Sequence, residues 1–307
     1  MTPKRTQPSG MLWAHIAALI SVTMWGYSFV SSRVLLDNGM GPVEIYVCRF
    51  VLAYLIVVFV SHKRLWASNW REEGMFMLCG MLAGSFYFIA ENTALEYTLT
   101  TNVSLLTSLS PLITVILVAL VYKSEKFGVG TWIGSALAVL GVACVVFNSS
   151  TSLEVRPLGD FLSLAAACSW AVYSLILRRL NAHYDVWFIS RKTFFYGVLT
   201  AIPFLVFEND SASVFSLVAR PQVFGNLLFL GLGASTAAYV LWALAVRQLG
   251  AVKANNYMYF QPIVTLIVSA IVIGEKVTFI GVMGIVLILG GLWIGDNLGK
   301  YLAARKR

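Results

Sequence analysis

Charge is what this sequence has least of. Of its 307 residues only 12% are Asp, Glu, Lys or Arg, while 59% are hydrophobic and the mean hydropathy is +0.79. An ordinary soluble domain carries about 25% charged residues. Half that amount cannot clothe the surface of a globule of this size, which excludes a soluble enzyme, a disordered chain and a disulfide-rich secreted domain. Histidine is scarce as well, and His15, His62 and His183 lie in separate regions with no ligand spacing. The four cysteines, Cys48, Cys79, Cys144 and Cys168, sit in apolar runs without a CxxC pair and read as small hydrophobes. No phosphate-binding loop, HExxH, GxSxG or paired catalytic carboxylates occur. The sequence therefore calls for no enzyme activity, no cofactor, no metal and no ATP-driven step. Met11 to Leu36 is too long for the apolar core of a cleavable signal.

What the chain has instead is apolar length. A spanning helix needs about 20 apolar residues, and runs of that kind fall at roughly 12–36, 43–61, 75–97, 101–122, 127–147, 159–179, 187–207, 222–246, 254–274 and 279–296. The expected fold class is an all-α polytopic membrane protein with ten transmembrane helices. The net charge of +8 would suggest nucleic acid in a soluble chain. Placed on ten helices with a cytoplasmic N-terminus, 15 of the 22 basic residues fall in inner loops and tails. Only Arg156, Arg220 and Lys276 fall outside. This is the positive-inside bias of an inner-membrane protein with both termini cytoplasmic. The expected partners are the lipid bilayer and a small-molecule substrate, with no nucleic acid, and the chain is expected as a monomer or homodimer.

The chain also repeats itself. Trp25 and Arg33 recur as Trp170 and Arg178, again eight residues apart. Ala94-Leu95 followed by Ser110-Pro111-Leu112-Ile113-Thr114 recurs as Ala245-Val246 followed by Gln261-Pro262-Ile263-Val264-Thr265, at an offset of 151. Glu125, Gly134 and Gly141 recur as Glu275, Gly284 and Gly291, at an offset of 150. Residues 1–150 and 151–307 then form two five-helix repeats of one integral membrane unit. Five is odd, so the second copy enters from the opposite side, which is the inverted repeat of secondary transporters.

Taken together, Trp25-Gly26, Arg49-Phe50, Ala94-Leu95, Tyr97-Thr98, Asn102, Ser104-Leu105, Pro111, Glu125, Gly134 and Gly141 resemble the drug/metabolite transporter superfamily, in its EamA branch. Trp170-Ala171, Gly250-Ala251, Ala254, Pro262, Gly274-Glu275 and Gly290-Gly291 carry the resemblance through the second half. It covers about residues 12–296. The resemblance implies a ten-helix carrier of small metabolites, often an exporter, working by alternating access.

An ionisable group deep in a span is costly and marks function by default. Glu91, with Asn92 beside it, is the acid that topology does not explain; its repeat counterpart is Trp242. Function here would mean holding an ammonium or a coupling proton, and the alternative is a side chain that snorkels outward or bridges to Arg33 or Arg49. Arg49 and Arg191 sit early in the second helix of each repeat, where either could engage a carboxylate or anchor at an interface. Lys192 and Arg33 read more as interface anchors.

Aromatics gather at mid-span: Trp25, Tyr27, Phe86, Tyr87, Phe88, Trp170, Tyr173, Tyr239, Trp242, Tyr257 and Tyr259. They would line a central cavity for a flat or cationic solute, or else face lipid and packed neighbours. Pro111 and Pro262 read as hinges, with Asn102 and Asn256 nearby as candidate binding amides. Gly80 with Gly84, Gly130 with Gly134 and Gly291 with Gly295 repeat the small-xxx-small spacing of helix contacts, within the chain or across a dimer. The sequence thus points to a secondary carrier exporting amino acids or related amines, in which Glu91 takes either the amine or a coupling proton. The alternative on the same fold is an importer of a nutrient or cationic solute.

Overall fold

The computed structural model describes residues 8–62, 65–98, 100–122, 128–147, 157–208, 214–272 and 278–304, and all regular structure among them is helical. In chain order the α-helices are α1 (Pro8–Asp37), α2 (Pro42–Val60), α3 (Trp70–Gly80), α4 (Phe86–Tyr97), α5 (Thr100–Thr107), α6 (Ser110–Val121) and α7 (Val129–Phe147). They continue as α8 (Pro157–Leu180), α9 (Val186–Leu205), α10 (Val214–Val218), α11 (Pro221–Leu228), α12 (Ala238–Leu249), α13 (Ala251–Asn256), α14 (Gln261–Val272) and α15 (Phe279–Ala304). Among the described residues five helical stretches are long and apolar enough to cross a membrane: Met11–Asp37, Pro42–Val60, Trp70–Tyr97, Pro157–Leu180 and Pro221–Leu249. The chain is a multi-pass membrane protein.

Helix ends follow local chemistry. Pro42 opens α2 at a position whose missing N–H costs nothing. Asn69 caps α3 by accepting from the Glu72 N–H, and Asp185 caps α9 by accepting from the Trp187 N–H. Gly250, at φ +81°, turns α12 into α13 in a conformation other residues adopt only with strain.

Four interruptions shape the interior, at matching places in the two halves. The segments Met81–Ser85, joining α3 to α4, and Phe229–Ala237, joining α11 to α12, are widened into π turns, the first kinked at Gly84, whose φ of -123° and ψ of -106° are not helical. Such widened turns re-aim the side chains and carbonyls around them. The other two interruptions precede prolines. Pro111 stands in the first turn of α6 after the chain leaves α5, and Gln261-Pro262 opens α14 after a 3₁₀ turn at Tyr257–Phe260. In each case the helix restarts at the proline, so no interior hydrogen bond is lost.

The outer surface is a belt of apolar side chains, with Phe59, Leu120, Ile271 and Trp293 all more than two-thirds exposed. A soluble protein would not leave such a patch in water, whereas a bilayer covers it. Inside, α7 and α15 pack closely through glycine. A Cβ on Gly291 would stand 2.6 Å from the Gly134 carbonyl oxygen, and one on Gly141 would stand 2.6 Å from that of Gly284. Gly80 and Gly84 meet α9 at Tyr196 and Gly197. These glycines serve contacts within the chain rather than a face left open for a second copy.

Candidate functional site

Mid-span aromatics meet at the centre of the bundle. The Trp25 ring lies 5.0 Å from Trp170, 5.6 Å from Tyr239 and 5.1 Å from Trp242, centroid to centroid. Trp170 also packs against Tyr87 and Tyr173. All six are buried, each at most 5% exposed. Backbone atoms freed by the π segments hold two of these rings in place. The Trp25 indole N–H donates to the Ala234 carbonyl at 2.8 Å in the second π segment, and the Tyr239 hydroxyl donates to the Ala83 carbonyl in the first. Each half thus orients an aromatic ring of the other.

Two opposite charges stand beside this cluster. Arg49, on α2, is fully buried and donates through Nε to Ser235 Oγ at 2.8 Å. Its Nη1 and Nη2 donate to no described group. The Phe88 ring faces the guanidinium at 4.5 Å, which offsets part of the burial cost. Glu91, 3% exposed on α4, is hydrogen-bonded by the Tyr87 hydroxyl one turn earlier and acted on electrostatically by Arg49. Arg49 and Glu91 are therefore coupled without a hydrogen bond between them.

A small pocket opens at Glu91. Trp25, Ser28, Phe29, Tyr87, Phe88, Trp170, Met258 and Gln261 complete its lining, and its free volume is about 10 Å³. That is room for roughly one water molecule. Beyond the 3₁₀ turn at Tyr257–Phe260 lies a larger cavity of about 400 Å³, lined among others by Ser135, Arg178, Lys253, Asn256 and Tyr259. Tyr259 of that turn lines the larger space and Met258 the smaller.

Polar contacts close both ends of the α2–α9 pair. At one end the Glu208 carboxylate accepts from the Val43 N–H at 2.6 Å and the Glu44 N–H at 3.0 Å, capping the start of α2. An anion there also meets the positive end of the helix dipole. Asn92 donates to the Pro42 carbonyl at 2.9 Å beside it. At the other end Lys192 and the Tyr196 hydroxyl both donate to Glu73 Oε1, and Arg191 donates to the Ser61 carbonyl.

The structure gathers Trp25, Tyr87, Phe88, Glu91, Trp170, Tyr173, Tyr239 and Trp242 around one centre, with Arg49 behind Phe88. Several candidates lie elsewhere. Tyr27 is 36% exposed and packs on Phe229 at the bundle's side, because two residues turn about 200° around a helix. Arg191 belongs to the end cluster with Ser61 and Glu73. Asn256 and Tyr259 line the larger cavity, and Asn92 serves the Pro42 contact. The Asn102 side chain, Glu125-Lys126 and Glu275-Lys276 lie outside the described residues.

Lys192 is no interface anchor; it is 5% exposed and pairs with Glu73. Arg33 pairs with Asp37 at 3.0 Å and donates to the Leu95 carbonyl, so it is not the partner of Glu91. Two functional candidates carry no evident sequence signal. Ser235 is a small hydroxyl beside Thr236 in an otherwise apolar run, and Glu73 stands next to charged residues that read as a loop.

A sequence model of the EamA-like transporter family matches this chain twice, over residues 12–147 and 157–294. A relative from Escherichia coli named "Probable amino-acid metabolite efflux pump" is 26% identical over 285 residues, which cover 91% of this chain and 93% of that protein. One from Streptantibioticus cattleyicolor, named "Probable terminal-alkyne amino-acid exporter", is 25% identical over 280 residues, 91% of each chain. An uncharacterised transporter of Bacillus subtilis is 29% identical over 287 residues, 90% of this chain and 89% of its own. A chain of known crystal structure shares the fold with a TM-score of 0.74 at 17% identity, covering 97% of this chain and 99% of that one.

Proposed function

The chain belongs to the EamA-like transporter family, within the drug/metabolite transporter superfamily, and we propose that it exports amino acids or related amines across the inner membrane by alternating access. The observation that carries the reading is a buried pair of opposite charges, Glu91 lining a pocket walled by aromatic rings and Arg49 behind the Phe88 ring of that wall. An amino acid brings the complementary pair. Its carboxylate suits the guanidinium, its ammonium suits the carboxylate, and an apolar side chain suits the rings. Export is supported by the names of the relatives from E. coli and S. cattleyicolor.

The proposed architecture is ten membrane helices in two inverted five-helix repeats, residues 1–150 and 151–307, with both termini cytoplasmic. In its support, the family match falls twice along the chain, and π segments and proline restarts recur at corresponding places. With this orientation the 400 Å³ cavity beside Arg178 and Lys253 faces the cytoplasm and admits cargo. The central pocket of about 10 Å³ is too small for an amino acid. Loading therefore requires the 3₁₀ turn at Tyr257–Phe260 and Phe88 to move aside. Release outward requires α2 to leave its contacts with Glu208 and Asn92. The two repeats rock about the charged centre, and the proton that drives the cycle is carried by Glu91.

The test is efflux from proteoliposomes preloaded with individual radiolabelled amino acids. The reading expects protein-dependent release of at least one of them, accelerated by a proton gradient directed inward across the exit side. Release no faster than from empty liposomes for the whole set contradicts it.

A further inference from the structure

We propose that the central site takes only cargo bearing a carboxylate, and takes it in charge-balanced form: an amino acid as its zwitterion, or a carboxylate lacking an amine together with one proton. The proposal rests on the export reading above and narrows it, setting aside amines without a carboxylate.

The argument begins with Arg49. A guanidinium does not shed its proton inside a protein, so this site carries one fixed positive charge. The group is fully buried, and Nε is already committed to Ser235 Oγ. What remains is the Nη1–Nη2 edge, two parallel donors with no described acceptor. That edge matches the two oxygens of a carboxylate end-on. Ser235 therefore orients the guanidinium as well as satisfying it.

Glu91 supplies the other half of the rule. Of the groups acting electrostatically on Arg49, Glu91 is the acid, and Tyr46, Tyr87 and Tyr239 are the rest. Where Glu91 is ionised in the unliganded site, its charge balances that of Arg49. A zwitterion adds one charge of each sign, so both protein charges gain a partner and no proton moves. A bare carboxylate adds a second negative charge beside Glu91. The balance is restored when one solvent proton binds the Glu91 carboxylate, converting COO⁻ to COOH. A bare ammonium would pair with Glu91 and leave Arg49 as an isolated buried charge, the arrangement a protein interior tolerates least.

The test is calorimetric titration of the purified full-length protein in detergent, in two buffers of different ionisation enthalpy so that protons are counted. The probes are phenylalanine, 3-phenylpropionate and phenethylamine, which share a ring suited to the aromatic wall. Phenylalanine is expected to bind with no net proton uptake. Phenylpropionate should take up about one proton per molecule and weaken about tenfold per pH unit. Phenethylamine should bind roughly 100-fold more weakly than phenylalanine, or not at all. In Arg49→Met the order of phenylalanine and phenethylamine should reverse; if that variant does not fold, the three probes on the unaltered protein still decide. Phenethylamine binding as tightly as phenylalanine, or phenylpropionate binding without a proton, overturns the charge rule and leaves the export reading standing. Binding of none of the three overturns the charge rule, while the export reading stands or falls on efflux of the whole amino-acid set.

Discussion

Arg49 Nε donates to Ser235 Oγ at 2.8 Å, joining α2 of the first half to the π segment of the second. The bond fixes one edge of a buried guanidinium and leaves the other edge free. Removing it in Ser235→Ala strands a further buried donor, at a cost of about 1–3 kcal/mol. Thermal stability should fall accordingly and the KM for cargo should rise severalfold. Ser235→Thr, which keeps a hydroxyl, should restore both; unchanged KM in Ser235→Ala would count against the orienting role.

Lys192 and Glu73 form an ion pair with side-chain exposures of 6% and 8%. Glu73→Ala should destabilise the protein by about 3–5 kcal/mol, because it leaves an uncompensated buried ammonium. The double variant Glu73→Ala with Lys192→Met should recover most of that loss, with Lys192→Met alone as the fourth protein. The measurement is the unfolding midpoint of the four proteins in one detergent, analysed as a double-mutant cycle.

Adjacent glycines should behave in opposite ways. A Cβ on Gly291 collides with α7, whereas one on Gly290 meets nothing within 4 Å. Gly291→Ala should cost about 1–3 kcal/mol through overpacking, and Gly290→Ala should be neutral or slightly stabilising. Elution profile and unfolding midpoint after solubilisation separate the two.

Glu208, just beyond the end of α9, gives stability a pH dependence. Burial pushes its carboxyl above the usual carboxylate range, aided by the charges of Glu44 and Glu96, against the pull of the Val43 and Glu44 N–H groups. The folded protein thus holds this proton more tightly than the unfolded chain does. The resulting stabilisation is complete below the ordinary glutamate value of about 4.3 and is lost as pH rises through the elevated folded value. The unfolding midpoint should fall with rising pH across that window, and Glu208→Gln should flatten the slope.

Much of the centre was legible in the sequence, for reasons that also explain what was not. Glu91 stood out because an acid in an apolar run has no cheap explanation, and Trp25 and Trp170 because mid-span indoles fit no interfacial belt. Tyr27 shares a helix with Trp25 but points about 200° away, and depth alone does not distinguish faces. The π segments leave no mark because the apolar pattern runs through them unbroken. Reading the third helix from residue 75 put Glu73 in a loop, although α3 begins at Trp70. That boundary hid the partner of Lys192.

Proton-driven efflux by Glu91→Gln in proteoliposomes is the most direct measurement of the central claim. The account predicts that the variant inserts and elutes like the unaltered protein, yet loses efflux or its dependence on the proton gradient. Efflux at the unaltered rate with the unaltered pH dependence would contradict it.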